Sequence, residues 1–151
     1  MTAVFFDTSA LTRRYDRAES GAARVVSLCH TSSAHVLLIA ELTSLEVASA
    51  LNRKLREGRL PSTERDRLWR LFRRHRRDQY HVGALDAQTV ALAENLLFAH
   101  ALRAYDAVQL ATALVMRRLV GDLAGEFTFC TADRLQARAA AAVRLDVELI
   151  A

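Results

Sequence analysis

Short apolar runs alternate with amphipathic stretches along the chain, and this rhythm constrains the fold more than any other feature of the sequence. Val4-Phe5-Phe6, His35 to Ile39, Tyr80-His81-Val82, Phe127 to Cys130 and Arg144 to Leu149 read as strands. Helical spacing fills the intervals, over 8–14, 18–29, 41–56, 61–77, 86–100, 106–119 and 132–142. The predicted inward faces are Ala18, Ala22, Val25, Val26 and Cys29 in the second helix, Leu42, Leu45, Ala48 and Leu55 in the third, and Ala87, Val90, Ala91 and Leu97 in the fifth. Gly58 is placed to end the third helix and Pro61 to open the fourth. Strands that alternate with helices form parallel sheets covered on both faces. The expected fold is a three-layer α/β/α domain spanning 1–151, around a mainly parallel sheet of about five strands. Helices 41–56 and 61–77 follow each other directly and read as a helical hairpin added to that core.

Composition narrows the functional classes. The 151 residues are 52% hydrophobic and 25% charged, with five glycines and one proline, which describes a soluble globular chain with little linker. No apolar stretch is long enough to cross a membrane, and the opening apolar run meets Asp7 after three residues, unlike a signal peptide. Cys29 and Cys130 are far apart, without CxxC or zinc spacing, and read as buried apolar groups in a reducing compartment. A cytoplasmic location follows as the expectation. The net charge is +4 and nearly all the cations are arginine, Lys54 being the one lysine. A basic excess fits a nucleic-acid partner without requiring one.

Four acids are the candidates for chemistry. In an open parallel sheet, ligands bind outside the carboxyl ends of the strands. Asp7 follows the first strand and Asp133 follows the fourth, so both face that crevice if the two strands are neighbours. Either residue also suits a helix N-cap. Glu46 lies in mid-helix beside apolar positions, and Leu42, Thr43, Ser49 and Ala50, its helical neighbours, include no cation. It either reaches solvent or faces a site. Asp106 opens the most apolar helix, where an acid also complements the helix dipole. Converging carboxylates without thiol or imidazole suit hard divalent ions such as Mg²⁺ or Mn²⁺. Such ions activate water and stabilise the leaving oxygen of a phosphodiester.

At these residues the sequence resembles the PIN-domain nucleases, VapC-type toxins in particular. Val4-Phe5-Phe6-Asp7-Thr8-Ser9-Ala10-Leu11 looks like the family's first-strand motif, and Thr43-Ser44-Leu45-Glu46-Val47-Ala48-Ser49-Ala50-Leu51 is similar to its helical glutamate motif. Leu102 to Ala113, with Tyr105-Asp106-Ala107, resembles the third acidic motif, and Phe129-Cys130-Thr131-Ala132-Asp133-Arg134-Leu135 the fourth. The resemblance implies that Asp7, Glu46, Asp106 and Asp133 are catalytic and hold Mg²⁺ or Mn²⁺, with Ser9 and Thr131 supporting a carboxylate or a metal-bound water. It implies RNA as substrate, a separate VapB-type antitoxin chain as partner, and a homodimer. Position 109 is Gln where relatives often have His. Glu41 is a second acid near the glutamate motif, and the preference for Glu46 rests on the motif.

Two rival readings lack a required residue. A haloacid-dehalogenase-type phosphatase needs an Asp where Ser9 stands, and a receiver domain needs a lysine after Lys54. An interaction module that had lost catalysis would lack one acid of the four, and flap-type DNA nucleases usually need a longer chain. A housekeeping PIN nuclease in RNA processing stays open beside the toxin. Seven arginines crowd 61–77, and Arg73, Arg74 and Arg77 are the candidate RNA-phosphate contacts. A solvated helix face accounts for the same residues.

Overall fold

The computed structural model describes residues 2–151. Five strands, β1 (Thr2–Phe6), β2 (Val36–Ala40), β3 (Tyr80–Gly83), β4 (Glu126–Thr131) and β5 (Asp146–Leu149), form one sheet in the order β3-β2-β1-β4-β5. Every pairing is parallel. Seven α-helices cover it: α1 (Thr8–Leu11), α2 (Ala22–Leu28), α3 (Leu42–Arg56), α4 (Ser62–Asp78), α5 (Ala87–Ala99), α6 (Ala104–Val120) and α7 (Arg134–Ala142). A 3₁₀ turn over Thr12–Tyr15 continues α1. The α/β architecture expected from the sequence is the one observed.

The two-residue period of the strands divides the core. Ala3 and Phe5 of β1, Leu38 and Ala40 of β2 and Phe129 of β4 face a cluster filled by α5, α6 and α7. Val4, Phe6, Leu37, Ile39 and Cys130 face the opposite cluster, filled by α1 to α4 with Leu11, Val25, Val47, Leu51, Leu68 and Phe72. Both faces of β1 are therefore buried, which is why it reads as a continuous apolar run. Phe5 and Phe129 stack at 5.6 Å between centroids. Gly83 ends β3 against α6, where a Cβ would sit 2.5 Å from Thr112 Cγ2 and 2.7 Å from Met116 Sδ.

Two predicted helix faces are rotated. In α3 the buried residues are Thr43, Val47 and Leu51, while Leu45 is 70% exposed. In α5 they are Thr89, Ala93 and Leu96, while Val90 and Leu97 are exposed. Ala18 is exposed and precedes α2. Gly58, at φ +70°, follows α3 as expected. The hairpin of α3 and α4 packs on the sheet through Val47, Leu51, Leu68 and Phe72, so it belongs to the core.

Candidate metal centre

The chain builds β1, β2 and β3 outward, then crosses back to place β4 beside β1. This reversal opens a crevice at the carboxyl ends of β1 and β4. The Asp7 N–H donates to the Cys130 carbonyl at 3.0 Å, which closes the ladder at the crevice floor. Asp7 caps α1 by accepting from the Ala10 N–H at 3.1 Å, and Asp133 caps α7 by accepting from Leu135 and Gln136. Both line the same cleft. Capping and facing the cleft are thus compatible, because each cap uses one carboxylate oxygen, Oδ1.

Asp7 is 4% exposed. Ser9 Oγ donates to its Oδ1 at 2.6 Å, and Thr131 Oγ1 donates to its Oδ2 at 2.6 Å. Those hydroxyls are themselves fixed, Ser9 Oγ by the Ala132 N–H at 3.0 Å and Thr131 Oγ1 by the Asp133 N–H at 3.1 Å. Burial lifts the Asp7 carboxyl from 3.8 to about 6 against the pull of these hydrogen bonds, and the charge of Asp106 adds to the rise.

Glu46 projects from α3 into the cleft. Its Oε1 accepts from Thr8 Oγ1 and from Gln109 Nε2, both at 2.8 Å. Gln109 Nε2 also lies 3.0 Å from the hydroxyls of Thr8 and Thr43. Gln109 Oε1 is buried there without a donor. Asp106 lies in the first turn of α6, half-buried. Burial raises its pKa, the Arg103 guanidinium opposes the rise, and the Asp133 charge adds to it. Arg103 Nε stands 3.5 Å from Asp106 Oδ2, with the guanidinium 5.2 Å from the Tyr105 ring centroid.

The cleft has a volume of about 570 Å³ and is lined by Asp7, Glu46, Asp106 and Asp133, with Ser9 and Gln109 between them. Four separate stretches of chain deliver one acid each. Among the described residues, no three His, Cys, Asp or Glu close into a cage around one point. The donor set is wholly oxygen, and a buried carboxyl raised to about 6 beside a second acid is one that a cation would return to its ionised form. Mg²⁺ keeps several waters and takes only one or two carboxylates directly. An open, oxygen-only cleft therefore fits such an ion, whereas a closed cage would not be required.

Glu41 is not part of the cleft. Its Oε2 accepts from the Leu85 N–H at 2.7 Å and its side chain borders a different depression. Arg73, Arg74 and Arg77 also lie elsewhere, around a depression on α4 that they share with Arg67, Arg70 and Leu71. The sequence reading passed over Thr8, Arg103 and the hydrogen-bonding role of Gln109. Gln109 stands three residues after Asp106 on one helix and Arg103 three before it, and that i, i±3 spacing was the signal that could have found these two; Thr8 meets Glu46 across 38 residues, which no local spacing records.

With this geometry in place, comparison with known proteins gives the family. The PIN domain profile matches residues 4–144, and the chain belongs to the PIN-domain family. Two solved structures share the fold. VapBC2 from Rickettsia felis, solved bound to a DNA fragment from their promoter, superposes with a TM-score of 0.66 at 9% identity, covering 99% of both chains. FitAcB from Neisseria gonorrhoeae superposes with a TM-score of 0.60 at 11% identity, covering 95% of both. No curated protein sequence matches the chain. Among the described residues no helix is long and apolar enough to cross a membrane.

Proposed function

We propose that the protein is a divalent-metal-dependent endoribonuclease, the toxin half of a type II toxin–antitoxin pair. The observation that carries this reading is the cleft into which four chain segments each deliver one carboxylate. Asp7, Glu46, Asp106 and Asp133 would hold Mg²⁺ or Mn²⁺. When bound, the ion supplies an activated water and charge stabilisation for hydrolysis of a phosphodiester. The chain's own groups fix where that happens. Ser9 and Thr131 hold both oxygens of Asp7, so its carboxylate cannot turn away from the cleft. Thr8 and Gln109 clamp one oxygen of Glu46 and leave the other free of side-chain donors. Arg103, exposed at the rim 3.5 Å from Asp106, would meet a phosphate there.

The toxin assignment draws on the likeness to VapBC2 and FitAcB. It brings a VapB-type antitoxin chain as partner, a homodimer, a single catalytic domain and a cytoplasmic setting. Incubation of purified protein with labelled RNA, single-stranded DNA and simple phosphate esters tests the chemistry. RNA cleavage with Mg²⁺ or Mn²⁺ and none in chelator is expected. Equal cleavage in excess chelator overturns the metal mechanism. Expression without a partner should arrest growth; normal growth with intact RNA would favour a housekeeping nuclease.

A further inference from the structure

Four carboxylates line the cleft against two cations, Arg53 and Arg103, so an RNA strand gains from further anchorage beyond it. A second depression, of about 540 Å³, lies alongside. The 3₁₀ turn and α3 contribute to both through different residues. Thr12 and Arg53 line the cleft, whereas Arg14 and Lys54, close by on the same two elements, line the second depression. Five cations against two carboxylates surround it. The carboxylates are taken, Asp16 by Lys54 at 2.5 Å and Glu64 by Arg67, and Arg59 pairs with Glu57. Among the described residues, Arg14 and Arg17 meet no carboxylate.

Arg14 is held in place without being neutralised. Its Nη1 donates to Tyr80 Oη at 2.6 Å, and its guanidinium lies 5.6 Å from the Tyr80 ring centroid. Tyr80 Oη is 2.7 Å from Tyr15 Oη, which is 2.8 Å from His75 Nδ1. Burial, together with the charges of Arg14 and Arg74, holds His75 down at about 4 and hence neutral. With the His75 proton assigned to Nε2, every hydrogen runs one way. Tyr15 donates to His75, Tyr80 to Tyr15 and Arg14 to Tyr80. The network spends Arg14's donor on a neutral phenol and leaves its charge for something outside the chain. Arg67 and Leu71 belong to this depression and to the next, where Arg73, Arg74 and Arg77 stand, so the basic surface continues along α4.

Building on the ribonuclease reading, we propose that this basic depression is an RNA-phosphate exosite, in which Arg14 and Arg17 anchor the strand that leaves the acid cleft between the 3₁₀ turn and α3. Continuity with the cleft favours RNA over an acidic protein segment. The test is anisotropy of a short fluorescein-labelled single-stranded RNA on the full chain, in chelator, across a salt series. Removing one cation that neutralises a phosphate should reduce the slope of log affinity against log salt by about 0.7. Arg17→Ala should therefore weaken binding about fivefold at about 0.1 M salt, and Arg14→Gln with Arg17→Ala about 25-fold, taking the phosphate attraction as negligible near 1 M salt. Arg17 is exposed and unpaired, so its variant keeps the test meaningful if Arg14→Gln disturbs folding. Arg118→Ala, on an exposed cation at the far end of α6, should leave slope and affinity unchanged. If wild type binds and cuts RNA while both arginine variants keep its slope, the exosite is overturned and the ribonuclease stands. If wild type neither binds nor cuts RNA, both fall. If the variants keep the RNA slope but lose binding of a short oligo-glutamate, the depression receives an acidic protein segment and not RNA.

Discussion

Asp7→Asn separates the site from the scaffold, because a group that serves the cleft should burden the fold. In the folded chain the Asp7 carboxyl titrates at about 6, against an ordinary 3.8. Two units of pKa correspond to about 3 kcal/mol, and with the side chain buried there is little solvent screening to discount. The folded value lies above the unfolded one, so below about pH 4 both states are protonated and Asp7 costs nothing. As pH rises from about 4 to about 6 the unfolded state ionises first and stability is lost; above about 6 the loss is complete. Asn carries no charge and caps a helix about as well. It cannot accept from both Ser9 and Thr131, so one hydroxyl must turn, at about 1 kcal/mol. The expected net gain for Asp7→Asn is about 1–2 kcal/mol near pH 7 without metal, a rise in Tm of about 2–8 °C. Thermal melts of both proteins in chelator between about pH 4 and pH 8 measure it. The difference should open across about pH 4–6 and then level off. Added Mn²⁺ should stabilise wild type more than the variant, and RNA cleavage by the variant should be lost. A variant less stable than wild type at pH 7, or a difference flat in pH, refutes the burial argument, and retained cleavage removes Asp7 from the chemistry.

Glu46→Gln and Asp106→Asn should each lower RNA cleavage by at least about a hundredfold with far-ultraviolet circular dichroism unchanged, the scale typical of removing one preorganised charge; near-normal turnover in either case would exclude that acid. Gly83→Ala drives a methyl into Thr112 and Met116 and should cost about 1–3 kcal/mol, read as a lower urea midpoint. Phe129→Ala removes a wholly buried ring stacked on Phe5 and should cost about 3–5 kcal/mol; a loss under about 1 kcal/mol would mean that this core collapses to fill the space. Replacing Arg73, Arg74 and Arg77 together should weaken RNA binding in proportion across sequences and flatten its salt dependence, and an unchanged slope would make that face of α4 merely solvated.

Local chemistry was sufficient for the elements and for half of the site. Strand runs such as Val4-Phe5-Phe6 and helical spacing depend on neighbours a few residues away, and so do the caps that put Asp7 after β1 and Asp133 after β4. Once parallel strands were expected, the crevice rule brought those two acids toward one edge, and the adjacency of β1 and β4 completed it. Helix faces were less legible. Leu45, Val90 and Leu97 have the propensity and hydropathy of core residues, yet point outward. Thr43 and Thr89 are buried because distant partners or caps satisfy them, Thr43 by Gln109, 66 residues away. No spacing within α3 records a partner on α6, so the clamp on Glu46 was invisible before folding, and so was the separation of Glu41 from the cleft. The same holds for Arg14. Its sequence neighbours suggest one more surface cation, and only the packing of His75 from α4 and Tyr80 from β3 against the adjacent Tyr15 holds its guanidinium without a counter-charge. Sequence encodes what a residue can do with its neighbours along the chain; the fold decides which neighbours it meets across space, and burial then sets the charge state and direction of each group.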